Sequence, residues 1–211
     1  KVRAVIGGIT GNLLIKEYPT KSVGVSTILA HANLARTMGY GVDMVVVDYA
    51  DILSPGKVGA NSNTYVEQGS IYEDLRGLAG ELGVPVWTAS QASRSSLDDN
   101  IIEAQKVADS YRKIMTADFV MSLSRKASDK VSNTGRFHVI KNRFGPDGMT
   151  FPSRVDTSSG LIELYDEKST NGTEIMVEMN ESENGAKNIL KSRYDQMSEK
   201  SYNNEDESDI G

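Results

Sequence analysis

Apolar and polar positions alternate along the first part of the chain in blocks that predict strands and helices in turn. Residues 44–47 and 86–89 are short, mainly apolar runs, which are typical of strands buried on both faces in a parallel sheet. Apolar residues at helical spacing predict helices over residues 26–38 and 65–82, and a glycine follows each of them. Strands that alternate with helices indicate an α/β fold with a mostly parallel sheet.

Further apolar runs predict strands before and after this region. They cover residues 2–6, 13–15, 119–123, 136–140 and 161–165. The last three runs are close together, which favours an antiparallel extension of the sheet. Residues 93–112 are polar and weakly periodic, so the pattern predicts a mobile loop with a short helix there.

The composition changes after Tyr165. Residues 166–211 carry 12 acidic and 5 basic side chains, whereas residues 1–165 carry 17 and 18. A segment this polar cannot bury enough apolar surface to become ordered. The sequence therefore predicts one domain over residues 1–165, followed by a disordered acidic tail. Within the tail, residues 186–197 have apolar positions roughly on one side, which fits either a nascent solvated helix or a partner-docking helix.

Composition also excludes several classes of protein. The chain has no apolar run of about 18 residues and no secretory signal, so no membrane association is expected. It has no cysteine and only two histidines, which excludes disulfides and thiolate metal sites and fits a reducing cytoplasm. Because the chain starts with Lys1 and not with methionine, we expect it to be a piece of a longer protein.

Polar side chains follow the two predicted parallel strands. Asp48 comes directly after residues 44–47, where an acid either holds Mg²⁺ against nucleotide phosphates or only opens a turn. Gln91 comes after residues 86–89, where its amide either senses a γ-phosphate or caps the following loop. If the two strands are neighbours, Asp48 and Gln91 lie at the same edge of the sheet.

A third candidate site lies at the end of a later predicted strand. Lys141 and Arg143 occupy alternate positions before a turn with Pro146, an arrangement that suits either phosphate contact in a neighbouring subunit or a plain surface hairpin. The chain holds no phosphate-binding loop of the form G-x-x-x-x-G-K-S/T. Either Asp48 does not act on a nucleotide, or that loop lies upstream of residue 1.

Taken together, these elements resemble a known family. The order is M-V-V-V-D-Y-A-D-I-L, then Y-E-D-L-R-G-L-A-G-E-L-G-V-P-V-W-T-A-S-Q-A-S-R, then T-A-D-F-V-M-S-L-S-R and K-N-R-F-G-P-D-G. It resembles the hexameric replicative DNA helicases of the DnaB type, most closely the versions of tailed phages, and G-N-L-L-I-K-E-Y-P-T also resembles that subgroup. The likeness covers roughly residues 10–165, and four motifs in order make it specific.

The resemblance implies a RecA-like motor core that lacks its first strands and uses ATP and Mg²⁺. It implies that Asp48 acts on the magnesium shell through water, and that Gln91 couples the γ-phosphate state to DNA contact. It also implies that Lys141 and Arg143 reach the nucleotide site of the neighbouring subunit.

The resemblance further implies a loop that holds single-stranded DNA in the channel of a ring. That loop would comprise Asp109, Ser110, Tyr111, Arg112 and Lys113. The two cations are the natural phosphate contacts, and Tyr111 either stacks on a base or packs within the protein.

For the whole protein, the resemblance implies a homo-hexamer that unwinds duplex DNA at the replication fork. Primase and a helicase loader are the expected partners, and the expected location is the cytoplasm, that of the host if a phage encodes the protein. The family's phosphate loop and catalytic glutamate are missing, and Glu17 is not in the glutamate's context, so we expect this chain alone to be inactive. The alternatives are another RecA-fold ATPase, such as a recombinase, or a non-catalytic fragment that binds DNA or a partner.

Overall fold

A computed structural model describes residues 11–56, 64–92, 99–102 and 111–205. The chain divides into two compact units. The first unit comprises residues 1–92 and 107–117, and the second comprises residues 93–106 and 118–211. The sequence predicts one domain up to residue 165, whereas the structure assigns the later strands and the C-terminal helix to a unit of their own.

The first unit is built from helices around two parallel strands. Its elements are α1 (Val25–Thr37), β1 (Val45–Val47), a 3₁₀ turn (Ala50–Ile52), α2 (Thr64–Leu82), β2 (Val86–Thr88) and α3 (Tyr111–Thr116). Strands β1 and β2 pair in parallel, with Val45 opposite Val86 and Val47 opposite Thr88. The two strands therefore end at the same edge, and the expected parallel α/β arrangement is confirmed.

The core of the first unit forms because apolar residues of α1 and α2 join those of β1 and the following turn in one cluster. Its buried residues are Val25, Ala32, Val47, Ala50, Leu53, Ile71, Tyr72, Leu75, Leu78 and Leu82. Helix α2 ends at Leu82 and is followed by Gly83, whose φ of 68° suits glycine. The guanidinium of Arg36 on α1 donates to the Leu82 carbonyl at 2.7 Å. These contacts fix the direction in which the chain enters β2.

The second unit contains an antiparallel sheet with one long helix. Its elements are β3 (Phe119–Ser124), α4 (Ala127–Val131), β4 (Thr134–Asn142), β5 (Thr150–Asp156), β6 (Leu161–Leu164) and α5 (Thr170–Glu205). The four strands pair in chain order. The antiparallel strands expected from residues 119–123, 136–140 and 161–165 are therefore present.

Strand β5 was not predicted from the sequence. It lies between β4 and β6 and contains Pro152, which cannot donate a hydrogen bond to a neighbouring strand. The Pro152 carbonyl still accepts a hydrogen bond from the Tyr165 amide at 3.0 Å, and Ser153 and Val155 are buried. Packing on both sides thus offsets the missing donor.

Helix α5 covers a segment for which the sequence predicts disorder. Ser169 caps the helix by accepting a hydrogen bond from the Gly172 amide, and Ile175 and Met179 are buried. A few apolar residues at helical spacing are enough to fix the first half of this helix onto the rest of the unit, in spite of the acidic composition. This helix includes residues 186–197, where the sequence suggested only a short helix.

Two of the expected N-terminal strands have different outcomes. Residues 13–15 lie outside any strand, and Leu13 and Ile15 are largely exposed. Residues 2–6 lie outside the described part of the chain. In the part of the chain that the structure describes, no helix has the length and apolar character needed to cross a membrane.

Candidate nucleotide and DNA site

The shared end of β1 and β2 is held together by one threonine. The Thr88 hydroxyl donates to the Val47 carbonyl at 2.9 Å and accepts from the Ala50 amide at 2.9 Å. The first turn after β1 is therefore bonded to the last residue of β2. Asp48 lies between these two contacts and its side chain is exposed at the sheet edge.

Gln91 lies three residues beyond the end of β2 and reaches across to the segment after β1. Its side-chain amide donates to the Tyr49 hydroxyl at 3.0 Å, and its backbone amide lies 3.4 Å from a carboxylate oxygen of Asp51. The structure therefore brings Gln91 next to the residue that follows Asp48, at the edge where sequence reasoning placed both.

Asp51, which sequence reasoning did not single out, is the centre of a polar cluster at this edge. Its Oδ1 accepts hydrogen bonds from Lys113 Nζ at 2.7 Å and from the Tyr72 hydroxyl at 2.8 Å. Its Oδ2 accepts one from the Ser90 hydroxyl at 3.0 Å. Lys113 Nζ also donates to Ser90 Oγ at 3.2 Å and lies 5.3 Å from the centre of the Tyr72 ring.

The Asp51 carboxyl keeps its charge although Lys113 and Tyr72 beside it are buried. Burial raises the pKa of the Asp51 carboxyl, but the hydrogen bonds from Lys113, Tyr72 and Ser90 outweigh burial, so that its pKa is lowered overall. Burial raises the pKa of Tyr72, so its hydroxyl stays protonated and remains a donor. Asp51 is therefore a carboxylate near neutral pH, paired with the Lys113 ammonium.

The structure describes three of the five residues expected to contact DNA, and these three open α3. Asp109 and Ser110 lie outside the described residues, and α3 begins at Tyr111. Arg112 is exposed and pairs with Glu73 at 3.0 Å. Lys113 behaves differently, because its side chain is only 4% exposed and is directed into the cluster around Asp51.

Lys141 and Arg143 lie in the second unit, two residues apart at the end of β4. Lys141 is opposite Val120 on β3, and Arg143 follows the last residue of the strand. The Arg143 guanidinium donates to the Asp118 carboxylate at 2.9 Å, and its backbone amide donates to the Asp118 carbonyl at 2.9 Å. Both side chains of this ion pair are about half exposed.

The loop after β4 is closed by Asn142. Its carboxamide oxygen accepts from the Phe144 amide at 3.0 Å, and its nitrogen donates to the Pro146 carbonyl at 3.0 Å. Further along the loop, the Gly148 amide donates a hydrogen bond to the Val139 carbonyl at 2.8 Å. Gly148 has a φ of 77°, which suits glycine. Phe144 at the tip is 83% exposed. The loop thus presents Arg143 and Phe144 at the surface of the second unit.

The donor set at the β1 edge suits a magnesium ion that is held mainly by water and phosphate. Among the described residues, no group of three acidic or histidine side chains could cage a metal ion. Mg²⁺ usually keeps several of its waters and binds through one or two carboxylates together with phosphates. The single exposed carboxylate of Asp48 at the end of β1 fits this coordination. Asp48 therefore fits an ion that arrives with a nucleotide.

Two acidic residues with functional contacts, Asp51 and Asp118, were not predicted from the sequence, because their partners are distant in the chain. Asp51 stands within the same motif as Asp48, but its partner Lys113 is 62 residues further along the chain, and no spacing rule links them. Asp118 precedes β3 and bonds to Arg143, 25 residues away. In the sequence, only the position of Asp51 and Asp118 within motifs that resemble the helicase family indicates that they have a role.

Comparisons with known proteins agree with the four motifs. A family model described as the DnaB-like helicase C terminal domain matches residues 8–152. The chain is 28% identical over 137 residues to the DnaB-like replicative helicase of Enterobacteria phage T4, which covers 64% of this chain and 29% of the relative. It is 33% identical over 106 residues to a probable plasmid replicative DNA helicase of Chlamydia trachomatis, which covers 49% and 22%. The chain thus spans less than a third of the length of these relatives.

Solved structures show the same likeness. An ATPase domain matches with a TM-score of 0.59 and 25% identity, over 68% of this chain and 52% of that one. A structure of a DnaB-like replicative helicase and its interactions with primase matches with a TM-score of 0.58 and 26% identity, over 66% and 34%. The expected RecA-like α/β fold and the expected resemblance are both confirmed.

Proposed function

Because the chain belongs to the DnaB-like helicase C-terminal domain family, we propose that it is part of an ATP-dependent replicative DNA helicase. The whole protein would unwind duplex DNA at the replication fork by moving as a hexameric ring along one strand. The observation that supports this proposal most directly is the parallel pairing of β1 with β2, which brings Asp48 and Gln91 to one edge.

At that edge we assign Asp48 to the water shell of Mg²⁺ and Gln91 to the γ-phosphate side of ATP. Bound Mg²⁺ would neutralise developing charge on the phosphates. Asp48 is exposed after β1, and the side-chain amide of Gln91 donates to the hydroxyl of Tyr49, the next residue. A glutamine amide both donates and accepts hydrogen bonds, so its contacts change when a phosphate oxygen leaves.

Lys141 and Arg143 are proposed to act on the nucleotide of a neighbouring subunit. The guanidinium fork suits bidentate contact with phosphate oxygens, and the exposed loop after β4 presents it at the surface. Its bond to Asp118 is half exposed, so solvent lowers the cost of exchanging that carboxylate for a phosphate.

Residues 109–113 are proposed to contact the backbone of single-stranded DNA. Within this segment Arg112 is an exposed cation, which suits a phosphate contact. Lys113 lies inward in this structure, so its contribution to DNA binding would require it to leave Asp51.

The proposed partners follow from the family. One similar structure concerns a DnaB-like replicative helicase and its interactions with primase. We propose a homo-hexamer that engages primase and a helicase loader in the cytoplasm, that of the host if a phage encodes the protein.

The test is ATP turnover and unwinding of a forked duplex by the full-length protein that contains this chain. Asp48→Asn is expected to abolish both activities, because it removes the carboxylate assigned to the magnesium shell. Asp43→Asn, which changes an exposed acid five residues earlier, is the matched control and should retain both. Full activity of the Asp48→Asn protein would overturn the proposal.

The same assay examines the chain by itself. Its 211 residues hold no G-x-x-x-x-G-K-S/T loop, so we expect the purified chain to show no magnesium-dependent turnover. Turnover by the chain alone would mean that the phosphates are held by other groups.

A further inference from the structure

The buried pair of Lys113 and Asp51 is not needed by any role proposed above. Lys113 is 4% exposed and the Asp51 side chain is 14% exposed, with 2.7 Å between their charged atoms. Taking two charges out of water is costly, and a lysine that only contacts DNA has no need of a buried carboxylate. The pair therefore requires another explanation.

The pair joins three segments that belong to different parts of the proposed cycle. Asp51 lies in the turn that follows Asp48, and Lys113 lies on α3, in the proposed DNA-contact segment. Ser90 bonds to both members of the pair and directly precedes Gln91, whose own backbone amide points to Asp51. A short chain of hydrogen bonds thus runs from the proposed phosphate sensor to the proposed DNA segment.

We propose that Asp51 and Lys113 are positioning residues that couple Gln91 to α3, so that nucleotide state and DNA contact change together. This inference rests on the proposed function. It assigns no new contact with DNA or nucleotide. It assigns the link between the nucleotide site and the DNA-contact segment to one ion pair and to Ser90 and Tyr72, which are hydrogen-bonded to it.

The burial of the pair makes the link stiff. If the segment of Ser90 and Gln91 shifts, the Asp51 carboxylate, whose side chain is only 14% exposed, loses a hydrogen-bond donor, and the loss has to be compensated by Lys113 or by water. A buried network of this kind favours a few discrete arrangements over gradual adjustment, because intermediate positions leave a charge unpaired. Discrete arrangements are what a switch between two nucleotide states requires.

The experiment uses the full-length protein and measures ATP turnover with and without saturating poly-dT. The variants are Lys113→Met, Asp51→Leu and the double variant, each of similar shape to the wild type. The readout is the maximal stimulation by DNA, which is a ratio of two rates and therefore does not depend on the fraction of folded enzyme. We expect stimulation to fall by at least about fivefold in all three, the lower end of usual coupling between two sites.

Thermal unfolding separates coupling from simple structural support. Each single variant leaves one buried charge alone and should unfold at a lower temperature, whereas the double variant removes both charges and should recover most of the loss. Stimulation is expected to stay low in the double variant. Recovery of stimulation together with stability would overturn the inference, because the pair would then be only structural.

Two other outcomes are equally decisive. If Lys113→Met regains full stimulation once poly-dT is raised above the concentration that saturates the wild type, Lys113 is only a DNA contact and the inference fails. If the wild-type protein itself shows no DNA-stimulated turnover, the proposed function fails first and the inference falls with it. The wild-type measurement therefore distinguishes the two failures.

Discussion

Two ion pairs in this protein have nearly the same length and very different surroundings. Lys113 and Asp51 in the first unit are 2.7 Å apart, with side chains 4% and 14% exposed. Arg143 and Asp118 in the second unit are 2.9 Å apart, with side chains 46% and 40% exposed. An exposed pair contributes about 0–1 kcal/mol, because water solvates each charge whether or not they meet, whereas removing one partner of a buried pair costs about 3–5 kcal/mol.

The difference shows that the burial of an ion pair is more informative about its role than its length. Arg143 can leave Asp118 at little cost, which suits a residue proposed to act in a neighbouring subunit. Lys113 cannot leave Asp51 without another partner, which suits a residue that fixes one part of the fold to another. Mutation of the exposed pair should therefore affect mainly the rate of ATP turnover, and mutation of the buried pair mainly the free energy of unfolding.

The largest expected effect is on the rate of ATP turnover, and it follows from mutation of the exposed Arg143. Arg143→Ala in the full-length protein should lower ATP turnover by about 10³-fold, the usual contribution of an arginine supplied in trans. Nucleotide binding, measured by fluorescence titration, should change little, because an ion pair that is about half exposed contributes little to the stability of the fold. Arg193→Ala, an exposed arginine on α5, is the control. An equal loss of binding and turnover would indicate a structural role for Arg143.

The second-largest expected effect is on the free energy of unfolding, and it follows from mutation of the buried Lys113. Lys113→Ala should lower the free energy of unfolding of the chain by about 3 kcal/mol in urea titrations, because Asp51 is left with a buried charge. Arg112→Ala, at the next position and in the exposed pair with Glu73, should cost no more than about 1 kcal/mol. Equal costs at the two positions would remove the contrast between buried and exposed pairs.

The smallest effect is expected at a pair of intermediate burial. Glu183 on α5 pairs with Lys187 and Lys126, and these two ammonium groups, in that order, lower the pKa of its carboxyl to about 2. Because this value lies below the ordinary 4.5, the stabilisation is present above about pH 4.5 and is lost as the pH falls toward 2.

Glu183→Gln should therefore lower stability at pH 7 by about 1 kcal/mol or less, and the difference from wild type should shrink as the pH approaches 2. Urea titrations at several pH values measure it, with exposed Glu181→Gln as the control. A difference that is the same at pH 2 and pH 7 would point to packing of the side chain instead of its charge.

Much of the first unit could be predicted because its signals are local. The valines of β1, the apolar spacing of α2 and the polar residues at the two strand ends are all readable within short windows of sequence. The parallel pairing of β1 and β2 then followed from the alternation of strands and helices, and it placed Asp48 and Gln91 at one edge.

The features that the sequence did not predict depend on distant contacts. Strand β5 contains Pro152 and is held by neighbours on both sides, and α5 is fixed by Ile175 and Met179 despite a polar composition. The inward direction of Lys113 depends on a carboxylate 62 residues away. No local pattern distinguishes a lysine that faces solvent from one that is drawn into such a pair.

The loop after β4 is already ordered within a single chain. Holding the backbone of one free residue in a single conformation costs about 1–2 kcal/mol of conformational entropy. The two hydrogen bonds of Asn142 around Phe144 and Pro146 restrict this backbone when the chain folds. The neighbouring subunit proposed to meet this loop would therefore find its backbone already restricted, so most of the entropy loss of the backbone would precede assembly.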